Sequence, residues 1–269
     1  MTEPIVGKSG EDDKTKRVDE GVKPLEDLRV EKMDGVALAA EIKARLDSMT
    51  LTTESQVADV LKADFPDREE AAERVTPENM AEFAAVWELY EASFVPDERR
   101  DFRAHLETLK NPNYEMHAVK LRDRVVGFIG VWNLQVEGED WMFGEHIAVH
   151  PAYQSKGIGK VILDKIVKDK NIVGEVENPE GFPPSDPRCR RIRLYEKEGW
   201  HLNDQKSPEG SLLFDYIQPS YGEGRKPTPL ILMTKPYVIR DKAQFEALRD
   251  QIYKIVYGLP DGKLPQKGV

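Results

Sequence analysis

The chain has 269 residues, of which 39% are hydrophobic and 33% charged, and its formal net charge is -10. An acidic chain without a long run of Lys or Arg repels nucleic-acid phosphates and anionic lipid, so we expect neither as a partner. The single cysteine, Cys189, excludes an intramolecular disulfide and a cysteine-based zinc site. No apolar run approaches the ~20 residues that span a bilayer, and the N-terminus lacks a signal-peptide core, so the cytoplasm is the expected compartment.

The N-terminal quarter of the chain is predicted to lie outside the main domain. Residues 1–30 are rich in Lys, Glu, Asp and Gly, a composition that predicts a disordered segment. Residues 31–73 are predicted to be a helical extension. A helix is expected from Val36 to Leu46 with Asp34 as its N-cap, and a shorter helix from Glu54 to Ala63.

The main domain is predicted to cover residues 74–238. Thr76-Pro77 is a helix-start signal, and the helical pattern that follows it breaks at Pro96. Alternating or apolar runs predict strands at Tyr114–Leu121, Val125–Leu134, Met142–His150, Ile172–Glu177, Leu212–Ile217 and Leu230–Thr234. Helices are predicted at Glu98–Leu109, Val161–Val167 and Arg188–Glu198, the last ending at Gly199. A final helix, Ala243–Tyr257, belongs to a C-terminal helix and tail at residues 239–269.

The stretch from Glu145 to Val167 carries the most specific signal. An apolar strand ends at Val149, and the residues Gln154-Ser155-Lys156-Gly157-Ile158-Gly159 then open a helix. Glycines at such a point allow close approach of a ligand, and the helix N-terminus presents unpaired N–H groups to a phosphate or pyrophosphate. Gln154 and Val161 exclude a Walker A loop, and Ile162 excludes a dinucleotide-binding fingerprint.

The remaining pattern, Q-x-x-G-x-G, resembles the acyl-CoA pyrophosphate loop of the GNAT superfamily of N-acetyltransferases. Three further stretches support the resemblance: VVGFIGVW (residues 125–132), EHIAVHP (145–151) and RIRLYEKEGW (191–200), the last with Tyr195 and Gly199 in register with a family helix. SFVPDERR and LILMTKP also resemble a bacterial branch of the superfamily. The resemblance covers residues 74–236. It implies an α/β (α+β) fold, with a mixed, mostly antiparallel sheet whose central strands splay and are flanked by helices.

The resemblance also implies how acetyl-CoA is bound. The backbone of the loop is expected to bind the pyrophosphate, and the backbone of the preceding strand is expected to bind the pantetheine arm as an added strand would. The cofactor-binding residues are therefore predicted to be Ile147, Ala148, Val149, Gln154, Ser155, Lys156, Gly157, Ile158, Gly159 and Lys160. No metal site is expected, because His146 and His150 lack a third ligand.

Two residues are predicted to act in catalysis. Tyr195 matches the family's tyrosine that faces the CoA sulfur, where a phenol protonates or holds the departing thiolate. Glu145 lies where many family members carry a carboxylate, and it is the first candidate for the base that takes a proton from the substrate ammonium. Glu175 and Glu177 on the neighbouring strand compete for that role. His146 is a further candidate base, although it is expected to face away from Glu145 unless a bulge intervenes.

The expected activity is transfer of an acetyl group from acetyl-CoA to a primary amine by direct attack. The acceptor, whether a small amine or a peptide amine, is not indicated by the sequence, nor is the oligomeric state. Trp87, Phe94 and Phe102 are expected to divide between the core and the acceptor pocket. The alternative is a degenerate acetyltransferase that acts as a CoA-binding sensor or interaction module, which the long N-terminal extension favours.

Overall fold

The computed structural model describes residues 28–37, 40, 78–222 and 226–259. Its strands are β1 (Leu28–Lys32), β2 (Tyr114–Leu121), β3 (Arg124–Val136), β4 (Glu139–Val149), β5 (Asn171–Val176), β6 (His201–Leu202), β7 (Tyr216–Gln218) and β8 (Thr228–Lys235). Its helices of two turns or more are α1 (Glu78–Ser93), α2 (Phe102–Leu109), α3 (Ile158–Val167), α4 (Pro187–Lys197) and α5 (Lys242–Ile255). None of the helices in these ranges is long and apolar enough to cross a bilayer.

One sheet, in the order β1-β2-β3-β4-β5-β8-β6, organises the domain, and β7 pairs with β8. All pairs are antiparallel except β4 and β5, which are parallel and joined by the α3 crossover. The β3–β4 hairpin turns at Glu137 and Gly138, whose positive φ angles of 53° and 85° match the twist of the strands. The predicted fold class, a mixed and mostly antiparallel sheet flanked by helices, is confirmed.

Helices cover both faces of the sheet and create two cores. The first core lies under α1, α2 and α5 and is rich in aromatic residues, including Phe83, Trp87 and Phe102. The second core lies under α3 and α4 and is mainly aliphatic. Ile162 and Ile172 are fully buried in it. The sheet is therefore the central layer of three, and a gap in it connects the two faces.

Several predicted element boundaries differ from the structure. The helix predicted from Glu98 begins at Phe102, because Asp101 is its N-cap and accepts a hydrogen bond from the Ala104 N–H at 2.7 Å. Residues 96–98 form a separate 3-10 turn. The strand predicted from Leu212 begins at Tyr216, and the two-residue strand β6 was not predicted because it is too short to show alternation.

Two parts of the chain predicted to lie outside the main domain belong to its sheet or core. Strand β1 pairs with β2 in the register Leu28↔Leu121, although residues 28–30 were predicted to be disordered. Helix α5 buries Phe245 and Leu248 in the first core. Asp34 accepts a hydrogen bond from the Ala37 N–H at 3.1 Å, as its predicted capping role requires. Most of the predicted helix 36–46, the helix 54–63 and Thr76 lie outside the described residues.

Candidate functional site

The parallel strands β4 and β5 separate partway along their length. Their pairing runs from Trp141↔Asn171 to Gly144↔Gly174, yet β4 continues to Val149 and β5 to Val176. A cavity of 510 Å³ occupies the gap, lined on β4 by residues 144–149 and on β5 by residues 174–177. The C-terminal end of α1 and the side chains of Tyr195 and Trp200 complete its wall. The splayed central strands implied by the resemblance are therefore present.

The predicted pyrophosphate loop follows β4 directly. Gly157, in the left-handed conformation with φ of 80°, is the N-cap of α3, and no side chain caps the helix. The first intrahelical hydrogen bond here is from the Val161 N–H to the Gly157 carbonyl, so the preceding N–H groups have no partner within the helix. A Cβ atom at Gly159 would have no neighbour within 4 Å. An anionic ligand can accept hydrogen bonds from these N–H groups, and the open space at Gly159 gives it room to approach.

The side chains around this loop are exposed and paired in different ways. Gln154 Nε2 donates to the Val149 carbonyl at 3.0 Å and ties the loop to the end of β4. Lys160 forms an ion pair with Glu198 at the end of α4, and Lys156 Nζ lies 5.3 Å from the centre of the Tyr153 ring. Ser155 has a φ of 61°. The predicted backbone ligands 147–149 lie on the stretch of β4 that borders the gap.

Tyr195, on α4, lines the cavity on the side of the second core. Its ring packs against Trp200 with the centroids 5.5 Å apart. Burial raises the pKa of the Tyr195 phenol above its ordinary value. The phenol therefore stays protonated at neutral pH and can donate a proton into the cavity.

Glu145 occupies a β-bulge on β4. Gly130 pairs with His146 while Val131 pairs with Gly144, so Glu145 is the extra residue between them. The bulge turns Glu145 and His146 to the same face of the sheet. Trp132 Nε1 donates to Glu145 at 2.9 Å, and the His146 ring lies 4.9 Å from that of Tyr90 on α1.

The Glu145 carboxylate forms an ion pair with Arg100, and both side chains are almost fully buried. Tyr221 donates to the same carboxylate at 3.2 Å. The Arg100 guanidinium and the hydrogen bonds hold the pKa of Glu145 well below its usual range, although burial acts in the opposite direction. A carboxylate held in this way is a poor proton acceptor at neutral pH.

Glu175, on β5 across the gap, has the opposite character. Burial raises its pKa to about 7, even though hydrogen bonds from Tyr216, Gln218 and Tyr257 favour the charged form. The distances are 2.6 Å from Gln218 Nε2, and 3.2 and 3.1 Å from the Tyr257 hydroxyl to the two carboxylate oxygens. Glu177 is instead paired with Arg191 at 2.9 Å. Among these carboxylates, Glu175 is the one suited to exchange protons near pH 7.

The aromatic residues of the first helices divide between core and cavity. Trp87 and Phe102 are buried in the first core, whereas Phe94 is half-buried and lines the cavity. His146 Nε2 is 2.9 Å from the Glu98 carbonyl. Within the part of the chain that the structure describes, no group of three or more His, Cys, Asp or Glu side chains is placed to hold a metal ion.

The sequence analysis did not identify the residues that bind these carboxylates. They come from the loop before α2, from β3, from β7 and the segment after it, and from the residues that follow α5: Arg100, Trp132, Tyr216, Gln218, Tyr221 and Tyr257. None belongs to a local motif. Their one sequence signal is the density of tyrosine in the C-terminal third of the chain, which carries no spacing rule.

Comparisons with known proteins identify the family that part of the chain resembles. The model of the acetyltransferase (GNAT) family matches residues 83–174, from α1 to the separation point of β5. A GNAT-family protein from Bacteroides thetaiotaomicron is 28% identical, and the superposition covers 69% of this chain and 97% of that one with a TM-score of 0.56. A search of curated proteins finds no match.

A second solved structure is more distant. A GNAT-family acetyltransferase from Elizabethkingia anophelis with acetyl-CoA bound is 16% identical, over 78% of this chain and 97% of that one, with a TM-score of 0.34. The family resemblance drawn from the loop and from the Tyr195 helix is confirmed by the family model and by the Bacteroides structure. Residues 83–174 of the chain therefore match a GNAT-family acetyltransferase domain.

Proposed function

We propose that the protein transfers an acetyl group from acetyl-CoA to a primary amine, with Glu175 as the base and Tyr195 as the acid. The supporting observation is the cavity between β4 and β5, which Glu175 and Tyr195 line together. Acetyl-CoA would supply the acetyl thioester. The residues fit its pyrophosphate, because the uncapped start of α3 offers N–H donors and Gly159 leaves the approach open.

The reaction begins with removal of a proton from the substrate. An amine is largely an ammonium ion at neutral pH, and the nitrogen attacks only when its lone pair is free. Glu175 takes the ammonium proton, directly or through water, because its pKa is raised to about 7. Glu98 and Glu177 also line the cavity, the latter paired with Arg191, and the excess of acidic residues in this lining favours a cationic acceptor.

The second half of the reaction releases the thiol. As the C–N bond forms and the C–S bond breaks, the sulfur gains negative charge. Tyr195 donates its phenolic proton to that sulfur, the second proton of the attacking nitrogen passes through water to the resulting phenolate, and the product amide leaves with a neutral nitrogen. Glu145 stays outside these proton transfers in this proposal, because Arg100 already neutralises it. The sequence-based prediction of Glu145 as the base remains a prediction.

The experiment is an amine screen with two readouts, thiol release from acetyl-CoA and mass spectrometry of the product. The panel includes diamines, amino acids, aminoglycosides and peptides with free N-termini. A mass increase of about 42 Da on an amine, formed much more slowly by Glu175→Gln than by Glu177→Gln, is the expected result. Binding of acetyl-CoA without acetylation of any amine would instead favour the alternative of a CoA-binding sensor.

A further inference from the structure

The two carboxylates at the gap lie immediately after the last backbone-paired residues. Gly144 and Gly174 form the final pair of β4 and β5, and the next residue on each strand is a glutamate, Glu145 or Glu175. Beyond this pair the strands share no backbone hydrogen bonds. Any direct link between Glu145 and Glu175 across the gap must therefore run through side chains.

Two tyrosines connect these carboxylates. The Tyr221 hydroxyl donates to Glu145 Oε1 at 3.2 Å and lies 3.3 Å from the Tyr257 hydroxyl. Tyr257 in turn donates to Glu175, at 3.1 Å from Oε2 and 3.2 Å from Oε1. The two rings pack against each other with their centroids 5.3 Å apart. Each hydroxyl donates its single proton to one carboxylate, so between the carboxylates the two tyrosines meet through their packed rings and adjacent hydroxyl oxygens. We call this pair of tyrosines the tyrosine bridge.

The end of the bridge on α5 is fixed by the same arginine that neutralises Glu145. Arg100 uses one guanidinium nitrogen for Glu145 and donates with the other to the Val256 carbonyl at 2.8 Å. Val256 directly precedes Tyr257. The guanidinium also lies 4.8 Å from the centre of the Tyr221 ring. Both tyrosines are therefore positioned by contacts with one buried cation.

We propose that Tyr257 is a positioning residue that holds the Glu175 carboxylate in place across the gap, with Tyr221 linking it to Glu145. This inference rests on the proposed role of Glu175 as the base. Beyond Gly144 and Gly174, where β4 and β5 no longer pair through their backbones, the bridge connects the two strands through side chains. It also makes the end of α5 part of the active site, although the family model covers only residues 83–174.

The bridge has a measurable effect on proton binding by Glu175. The groups that face this carboxylate are Tyr216 and Gln218 from β7, Tyr257 from the end of α5, and the negative Glu145 from β4. Tyr257 stabilises the charged form by donating to it, whereas Glu145 opposes that form. Removing the Tyr257 hydroxyl therefore raises the pKa of Glu175 further.

The test compares Tyr257→Phe with Tyr253→Phe, which lies on the same helix and donates instead to the Ile217 carbonyl. The titration of Glu175 is followed by carbon NMR of protein labelled at glutamate carboxyls, and its resonance is identified by its loss in Glu175→Gln. In Tyr257→Phe the midpoint should rise by about one pH unit, and in Tyr253→Phe it should not move. Tyr221→Phe, which breaks the bridge at its centre, should give a smaller rise.

An unchanged Glu175 midpoint in both Tyr257→Phe and Tyr221→Phe would overturn the inference, even if the variants were less active. If Tyr257→Phe does not fold, the Glu175 midpoint measured in Tyr221→Phe is by itself the test of the inference. The NMR readout does not require an acceptor amine. A raised midpoint in a protein that acetylates no amine would therefore reject the proposed catalytic role while supporting the positioning of Glu175.

Discussion

Arg100 and Glu145 form an ion pair in the interior of the domain, with 8% and 1% of their side chains exposed. Arg100 comes from the loop before α2 and Glu145 from the bulge in β4, so the pair joins the α1–α2 region to the centre of the sheet. Trp132 and Tyr221 donate to the remaining positions on the carboxylate. The stability of the fold depends on both members of such a buried ion pair, because removing one leaves the other as an unpaired buried charge.

Arg100→Met should therefore destabilise the fold strongly, because Glu145 would be left as a buried charge without its partner. We expect a loss of about 3–5 kcal/mol in the free energy of unfolding, measured by urea denaturation at pH 7. Arg103→Met, at an exposed position on α2, is the matched control and should cost less than about 0.5 kcal/mol. Equal stability of the two variants would contradict the structural importance of the pair.

The same pair predicts a loss of stability in acid. The pKa of Glu145 is lowered in the folded protein, so the pair contributes stability above the unfolded pKa of about 4.3 and loses it as pH falls below that value. Comparing unfolding of the wild type and Glu145→Gln between pH 3 and 7 tests this sign. The stability difference between them should shrink as the pH is lowered, and a difference that grows would exclude the assignment.

Gly159→Asp separates acetyl-CoA binding from folding. A Cβ atom at this position would meet no atom within 4 Å, and a carboxylate in the first turn of α3 should stabilise the helix by about 0.3–1 kcal/mol. It should repel the pyrophosphate and weaken acetyl-CoA binding at least about tenfold. Isothermal titration and thermal unfolding on the same samples provide both values, with Gly159→Ala as the neutral control. Unchanged affinity for acetyl-CoA in Gly159→Asp would mean that this loop does not bind the pyrophosphate.

Glu175→Gln should change the shape of the pH–rate profile. With Glu175 intact, kcat/KM is expected to fall as the pH drops through about 7, because the base becomes protonated. The variant should lose this inflection and keep only the gradual rise that follows deprotonation of the amine itself. Glu177→Gln, whose parent carboxylate is paired with Arg191, should retain the inflection. An identical pH–rate profile in the wild type and in Glu175→Gln would show that a group other than Glu175 is the base.

Tyr195→Phe should slow the release of thiolate without weakening the binding of acetyl-CoA. The substitution keeps the ring that packs against Trp200 and removes only the hydroxyl, so a fall in kcat of about a hundredfold is expected. Tyr237→Phe, at a side chain that is 70% exposed, is the control for loss of a phenol. Full activity of Tyr195→Phe in a thiol-release assay would exclude the hydroxyl as the acid.

The elements and the loop could be predicted from local sequence because each depends on local chemistry. Strand β2 was predicted with both boundaries correct, since alternation and the Arg122-Asp123 turn define it. Gly199 was predicted to end its helix in the left-handed conformation, and its φ is positive. Gly157 was assigned as a glycine that lets a ligand approach, and it too has a positive φ. Of these two predicted segments, Tyr195 and Gln154 line the cavity.

The roles of the carboxylates could not be predicted, because they depend on residues far apart in the chain. The sequence gives no sign that Arg100 meets a carboxylate 45 positions later, or that Tyr257 meets Glu175 across 82 positions. The bulge at Glu145 is equally invisible, since no residue of β4 marks the point at which its pairing with β3 shifts. These long-range contacts were needed to assign Glu145 as the ionised carboxylate and Glu175 as the one that titrates near neutral pH.

The residues of the tyrosine bridge are among the last parts of the site to be synthesised. All eight described strands precede Pro236, so a nascent chain that has emerged to that point already has the residues of the sheet and of the loop. It still lacks the Val256 carbonyl that Arg100 binds and the hydroxyl that holds Glu175. The contacts that hold Glu145 and Glu175 are therefore completed only after residue 257 has emerged from the ribosome.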